Sequence, residues 1–299
     1  MSHAAPANWR LGGAWAGVVA IWSTTPLGIQ WSAQGASYSF AVMARMALAL
    51  GVCALLLRML GVELPRGRAA RRLYAVAGGS IFVSMILTYW AALHIPSGLV
   101  SVIYGLLPLA TGAFAALWLH QHVFTPLRVL GLALALAGLW TLFGQPWPGD
   151  GAAGWGIAAT CVGMAVQALA LVWIKRLAVA MHPVAQTTGA LAVATPLFVL
   201  VWLVADAGRV PELSTRAAWA TLYLALAGSV AGFTLYYYAI RHLDTMRVAL
   251  ITLVTPVMAL LLGQTVNRES IPPSGWLGIA LVGAGLVAYE WRSLRRQGG

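Results

Sequence analysis

Charge is what this chain has least of. Charged residues make up 8% of its 299 positions, and only 7 residues are acidic. A soluble domain keeps about a quarter of its residues as Asp, Glu, Lys and Arg. Here hydrophobic residues reach 61% and the mean hydropathy is +0.82. That composition cannot cover a water-facing surface, so an all-α polytopic membrane protein is expected, with the lipid bilayer as a partner. Cysteine is also scarce. Cys53 and Cys161 both lie inside apolar runs, which excludes a disulfide framework. There is no Walker A pattern, so the chain is not a self-contained ATP-driven pump.

Acidic residues are missing from the middle of every apolar run; Asp206, Asp244, Glu269 and Glu290 all stand near run ends. A proton antiporter usually carries an ionisable relay at membrane depth. Its absence leans toward facilitated diffusion, or toward coupling through a terminal carboxylate or His94. No set of nucleophiles, acids or metal ligands converges at membrane depth either, so no enzyme is expected. His120 and His122 flank Gln121 on a short loop without an acidic or cysteine partner, and they read as solvent-facing side chains. We therefore expect no metal and no cofactor. A sensor or scaffold is disfavoured because no soluble output domain is evident. The net charge of +11 does not point to nucleic acid, because the basic residues are dispersed between apolar spans.

What the chain does have is long hydrophobic runs. A helix needs about 20 mostly apolar residues to cross the hydrocarbon core. Runs of that kind fall at 12–31, 39–60, 73–93, 97–119, 126–144, 153–174, 185–205, 217–240, 246–266 and 274–291. They lack period-2 alternation and are rich in Ala, Leu and Gly, which argues against strands. Pro96 sits where a helix would begin, and Asp244-Thr245 has N-cap character. Only Arg10 precedes the first run, without a clean small-residue cleavage site, so that run reads as a retained span and not a signal peptide.

The basic residues then set an orientation. Arg10, Arg58, Arg66, Arg68, Arg71, Arg72, Arg128, Lys175, Arg176, Arg241, Arg247, Arg292, Arg295 and Arg296 fall on one side. Arg209, Arg216 and Arg268 fall on the other. Cytoplasmic loops are enriched in Lys and Arg, so both termini are expected in the cytoplasm of a bacterial-type inner membrane. An even span count requires the same arrangement.

One pattern occurs twice. Residues 89–108 read YWAALHIPSGLVSVIYGLLP, and residues 237–256 read YYAIRHLDTMRVALITLVTP. Aligned without a gap, Tyr89 meets Tyr237, His94 meets His242, Ile103 meets Ile251 and Pro108 meets Pro256. Gly131 and Gly138 match Gly278 and Gly285 with the same spacing. The halves 1–147 and 148–299 therefore read as two five-helix repeats. Five is odd, so the second repeat enters the membrane from the opposite side. Inverted repeats of this kind recur in secondary transporters, with the substrate site at the repeat interface.

These features resemble the EamA type of the drug/metabolite transporter superfamily. The resemblance is carried by Trp22-Ser23, Arg45, the Tyr-x-Ala…Pro pattern of the third and fourth spans and of the eighth and ninth, Arg268-Glu269, and the GxALxxAG-like runs at 131–138 and 278–285. It covers nearly the whole chain. It implies ten helices in two inverted repeats around a central cavity, and secondary transport, often metabolite or amino-acid export. The first repeat departs at Gln121, where the family often has the glutamate present here as Glu269.

Polar residues within spans should avoid lipid. Ser97, Ser101, Tyr104, Pro108 and Thr111 share one helix face, and Thr245, Ala249, Thr252 and Pro256 repeat it. Ser80, Ser84 and Thr88 form a second stripe beside Tyr89; Gly228, Gly232 and Tyr236 occupy its counterpart, followed by Tyr237. Thr160, Met164 and Gln167 share a face, as do Trp15, Trp22 and Pro26. Trp22, Arg45, Ser84, Thr88, Tyr89, Ser101, Tyr104, Gln167, Tyr237 and Thr252 are thus the candidate substrate-binding residues. The competing reading is tight helix packing through small residues, as in Gly13-xxx-Gly17 and Gly228-xxx-Gly232. Arg45 either binds a substrate carboxylate or phosphate, or snorkels outward, or ties its span to backbone carbonyls. Trp147, Trp219, Trp276 and Trp291 read as interfacial belts. Pro26, Pro108, Pro196 and Pro256 permit kinks, and the equivalent pair Pro108/Pro256 forms candidate gating hinges. The expected function is alternating-access transport of small neutral or zwitterionic metabolites, amino-acid export first. The alternative is efflux of amphipathic drugs or toxic compounds.

Overall fold

The computed structural model describes residues 8–119, 125–143, 151–232, 235–236, 239 and 245–295. The described residues are helical with no strand. In chain order the helices are α1 (Asn8–Gln34), α2 (Tyr38–Met59), α3 (Arg68–Ala91), α4 (Ser97–Gly105), α5 (Leu107–Leu119), α6 (Pro126–Phe143), α7 (Ala153–Leu177), α8 (Pro183–Ala205), α9 (Thr215–Tyr223), a π-helical segment (Leu224–Ala231), α10 (Thr245–Asn267) and α11 (Pro273–Arg295).

Local sequence explains most of the ends. Ser37 precedes α2 with extended backbone, and its Oγ accepts from Phe40 N at 3.1 Å. Ser214 does the same for α9, accepting from Ala217 N at 3.2 Å. Pro183 opens α8, where the missing N–H costs nothing. Pro96 stands immediately before α4, as its position predicts. Asp244 lies outside the described residues, and α10 starts at Thr245.

Five helical stretches are long and apolar enough to cross a bilayer: Tyr38–Met59, Arg68–Ala91, Ser97–Trp118, Ala153–Leu177 and Pro183–Ala205. Shorter apolar helices cover Pro126–Leu142, Ile251–Asn267 and Pro273–Tyr289. Large side chains such as Trp140, Trp155, Val204 and Leu136 are exposed on the outside of the bundle. Such a surface would aggregate in water and suits lipid. Trp219, Trp276 and Trp291 are also exposed; Trp147 lies outside the described residues.

Two elements depart from the expected uninterrupted spans. The fourth run breaks at Leu106, two residues before Pro108. Proline has no N–H to return to the carbonyl four residues earlier, and its ring crowds that turn. Pro26, Pro196 and Pro256, by contrast, lie inside continuous helices α1, α8 and α10. The eighth run passes from α-helix into π-helix at Leu224. Apolar periodicity does not distinguish these two windings.

The packing joins the two halves of the chain throughout. The most extensive helix pair is α6 with α11. It is built on glycine: a Cβ at Gly131 would lie 2.6 Å from the Gly285 carbonyl oxygen, and one at Gly138 would lie 2.7 Å from the Gly278 carbonyl oxygen. Elsewhere α3 packs on α7 and α8, α2 on α8, α5 on α7, and α10 on α1 and α4. The π-helical segment and α9 lie against α1 and α2.

Candidate functional site

Between these helices lies a cavity of about 190 Å³. Trp22, Thr25, Pro26 and Ile29 reach it from α1, and Arg45 from α2. Met85 and Thr88 come from α3, Val100, Ser101, Tyr104 and Gly105 from α4, and Leu107 from α5. The second half contributes Gln167 from α7, Gly228 from the π-helical segment, and Thr252 and Thr255 from α10. Arg45 is the one formally charged side chain among these lining residues.

Arg45 is 4% exposed. Its Nε donates to Ser229 Oγ at 3.2 Å and its Nη1 to Tyr89 Oη at 3.4 Å. Both partners are neutral hydroxyls, so these bonds orient the guanidinium without neutralising it. This geometry differs from outward snorkelling and from anchoring on backbone carbonyls. Tyr89 is fully buried. It stands behind Arg45 and is not a lining residue.

The hydroxyls have defined directions. Thr88 Oγ1 donates to the Ser84 carbonyl at 2.7 Å and lies 2.8 Å from Tyr104 Oη. The Thr88 proton is used in the first bond, so the Tyr104 hydroxyl is the donor in the second. Thr25 Oγ1 donates to the Ile21 carbonyl at 2.7 Å, and Thr255 Oγ1 to the Ile251 carbonyl at 2.8 Å. Gln167 Oε1 is buried and has no hydrogen-bond partner. The Trp22 and Tyr236 rings meet at a tilt of 44° with centroids 4.7 Å apart.

The structure thus brings Trp22, Arg45, Thr88, Ser101, Tyr104, Gln167 and Thr252 to one cavity. Ser84 is fully buried beneath it, with its hydroxyl directed to the Ile81 carbonyl at 3.4 Å. Tyr237 lies outside the described residues. Thr25, Thr255 and Ser229 were not singled out from the sequence. Thr25 follows Trp22 by three and Thr255 follows Thr252 by three, so helical spacing could have found both. Ser229 carried no such signal, because the π-helical winding sets its direction.

The glycines serve both competing roles. Gly228 and Gly232 leave room for cavity side chains: their Cβ positions would lie 3.3 Å from Arg45 Nη2 and 3.0 Å from Trp22 Nε1. Gly17 lies against Leu235, whereas Gly13 meets nothing within 4 Å.

At one end of the bundle, Glu269 gathers three donors. Ser97 Oγ and Asn267 Nδ2 donate to its Oε1 at 2.6 and 3.0 Å, and Gly98 N donates to its Oε2 at 3.3 Å. Asn267 extends the network to α1, donating to Gln30 Oε1 at 2.7 Å and accepting from Trp31 Nε1 at 2.8 Å. Asp206 accepts from Ser37 and Ser39 beside an open depression of about 380 Å³ that also includes Arg209. These are loop-end contacts away from the cavity that Arg45 lines. The His94 and Trp90 rings meet at a tilt of 53° with centroids 4.5 Å apart. Among the described residues no cluster of His, Cys, Asp or Glu could hold a metal ion; His120 and His122 lie outside them.

The fold and the buried cavity define a multi-pass helical membrane protein. Residues 154–289 match the family model described as EamA-like transporter family. That match lies in the second half of the chain, which is thus similar to the EamA-like transporter family over those residues. It is 28% identical over 199 residues to the "Uncharacterized inner membrane transporter YedA" of Escherichia coli (strain K12), covering 63% of this chain. That alignment spans 60% of the relative's length. It is 25% identical over 291 residues, 95% of each chain, to a "Probable terminal-alkyne amino-acid exporter" of Streptantibioticus cattleyicolor. A solved structure described only as "Crystal structure of protein" shares the fold at a TM-score of 0.66 and 17% identity, covering 94% of this chain and 98% of that one.

Proposed function

We propose that the protein is a ten-helix secondary transporter of the inner membrane, with both termini cytoplasmic, working by alternating access between inverted repeats 1–147 and 148–299. Its substrates are small neutral or zwitterionic metabolites, with amino-acid export first. The observation that carries this reading is the cavity between the two halves, in which Arg45 is the one formally charged side chain among the described lining residues. Buried ionisable groups in membrane helices usually mark a substrate or ion pathway.

The glycine contacts support the inverted arrangement. Gly131 and Gly278 are sequence equivalents, as are Gly138 and Gly285, yet Gly131 meets Gly285 and Gly138 meets Gly278. That crossed pairing is what an approximate two-fold axis produces, because residue i meets the equivalent of j while j meets the equivalent of i. The exporter named among the relatives supports amino acids as cargo.

Efflux of amphipathic drugs draws support from Trp22 and Tyr104. Many such compounds are cations, however, and a cavity whose one charge is positive repels them. The test is uptake into proteoliposomes of a labelled amino-acid panel, with and without a pH gradient. Amino-acid flux without a gradient supports a uniporter, and flux only with one supports proton coupling. Dye flux without amino-acid flux overturns the assignment in favour of drug efflux.

A further inference from the structure

The Glu269 network runs from one half of the chain to the other. Asn267 ends α10 and Glu269 follows it, both in the second half. Their partners belong to the first half: Ser97 and Gly98 open α4, and Gln30 and Trp31 stand near the end of α1. Two more contacts join that end of α1 to α9. The Ser214 amide donates to the Gly35 carbonyl at 3.4 Å, and the Arg216 guanidinium lies 5.4 Å from the Trp31 ring centroid. The carboxylate has a fitted place, because a Cβ at Gly263 would overlap Glu269 Oε2. The cavity begins within a turn of this layer: Ile29 lines it beside Gln30, and Val100 lines it two residues after Gly98.

The α6–α11 interface also joins the halves, but by a different means. There glycine Cα atoms sit against facing carbonyls, and parting them would leave close packing with nothing to replace it. The three donors on Glu269 are all neutral, and water can stand in for each as the layer opens. Alternating access requires the halves to part at each end in turn around a contact that stays closed.

Resting on the transport reading above, we propose that Glu269 and Asn267 form a latch between the two halves, which breaks to open the cavity at this end and reforms to close it, while α6 and α11 stay packed. With both termini cytoplasmic, α1 ends on the outer face, so the latch shuts the cavity to the outside.

The test reads opening directly. Spin labels at Gln34→Cys and Ser270→Cys, both exposed positions, report the distance between the halves in the full chain in nanodiscs, with Cys53→Ala and Cys161→Ala removing the native thiols. A short distance dominates while the latch is intact. Ser97→Ala deletes one hydrogen bond to a charged acceptor and raises the ratio of long to short distances by about tenfold; Glu269→Ala raises it further. Unchanged distances in both variants overturn the proposal, even where melting temperatures fall, because a merely structural network loses stability without opening. A second arm needs neither variant. Gln30→Cys and Asn267→Cys, joined by a short bis-methanethiosulfonate, cannot part. Flux of labelled amino acid or dye, whichever the unlinked protein moves, stops on linking and returns with reductant. Flux at the unlinked rate overturns the latch and leaves the transport reading standing. Longer distances in the latch variants, with no flux in any form, keep the latch and remove the transport reading instead.

Discussion

The Glu269 carboxylate accepts a hydrogen bond from Ser97 Oγ at 2.6 Å, joining the loop after α10 to the first residue of α4. Through Asn267 the same carboxylate is tied to Gln30 at the end of α1. Three elements that line the cavity are therefore held together at one end by a single acidic side chain. Glu269→Ala leaves three donors without their acceptor, so a loss of about 1–3 kcal/mol is expected. Glu269→Gln keeps an acceptor and should lose less. Thermal unfolding in detergent checks the order, and equal melting temperatures for all three proteins would remove the network's structural role.

The α6–α11 interface allows no added bulk. Gly131→Val or Gly138→Val would drive side-chain atoms into a facing backbone carbonyl, and overpacking of this kind costs about 1–3 kcal/mol or more. Gly51 has nothing within 4 Å of its Cβ position, so Gly51→Ala is the control. The expected result is a lowered melting temperature or loss of the monodisperse peak for the interface variants only.

Pro108 and Pro256 are equivalent in sequence but differ in local structure, one following a break and the other inside a continuous helix. If bends at these positions gate the cavity, alanine at either should slow transport while the protein still folds. Pro108→Ala should have the larger effect, because it restores a donor where the helix is interrupted. Normal rates in both folded variants would remove the hinge assignment.

Tyr89→Phe and Ser229→Ala each delete one hydrogen bond to a buried cation, worth about 1.5 kcal/mol or somewhat more. Such a loss corresponds to about tenfold in affinity. The expected signature in transport assays is a raised KM with kcat little changed. A fall in kcat with KM unchanged would show that these hydroxyls do not act through ground-state binding.

Both termini should be accessible from the same side of the membrane. Tags at residues 1 and 299 labelled from the cytoplasmic side check this. Labelling from opposite sides would undo the inverted-repeat arrangement and the transport cycle built on it.

The helical membrane class was legible in composition, because a chain with 8% charged residues has only lipid in which to bury its surface. Helix positions were legible to within a few residues from run length and capping. The repeated spacing of Gly131/Gly138 and Gly278/Gly285 was legible in the sequence, but that Gly131 meets Gly285 was not. Trp22, Arg45, Thr88, Ser101, Tyr104, Gln167 and Thr252 could be nominated one helix at a time, since a polar side chain avoids lipid. Tertiary structure alone placed these residues in one cavity, and placed Tyr89 behind Arg45 instead of beside it. It also turned Ser229 toward the guanidinium, through a π-helical winding that leaves no mark in apolar periodicity. The physical reason is that helix formation is a local matter of hydrogen bonds and hydropathy. Which polar face meets which depends instead on contacts between segments more than a hundred residues apart.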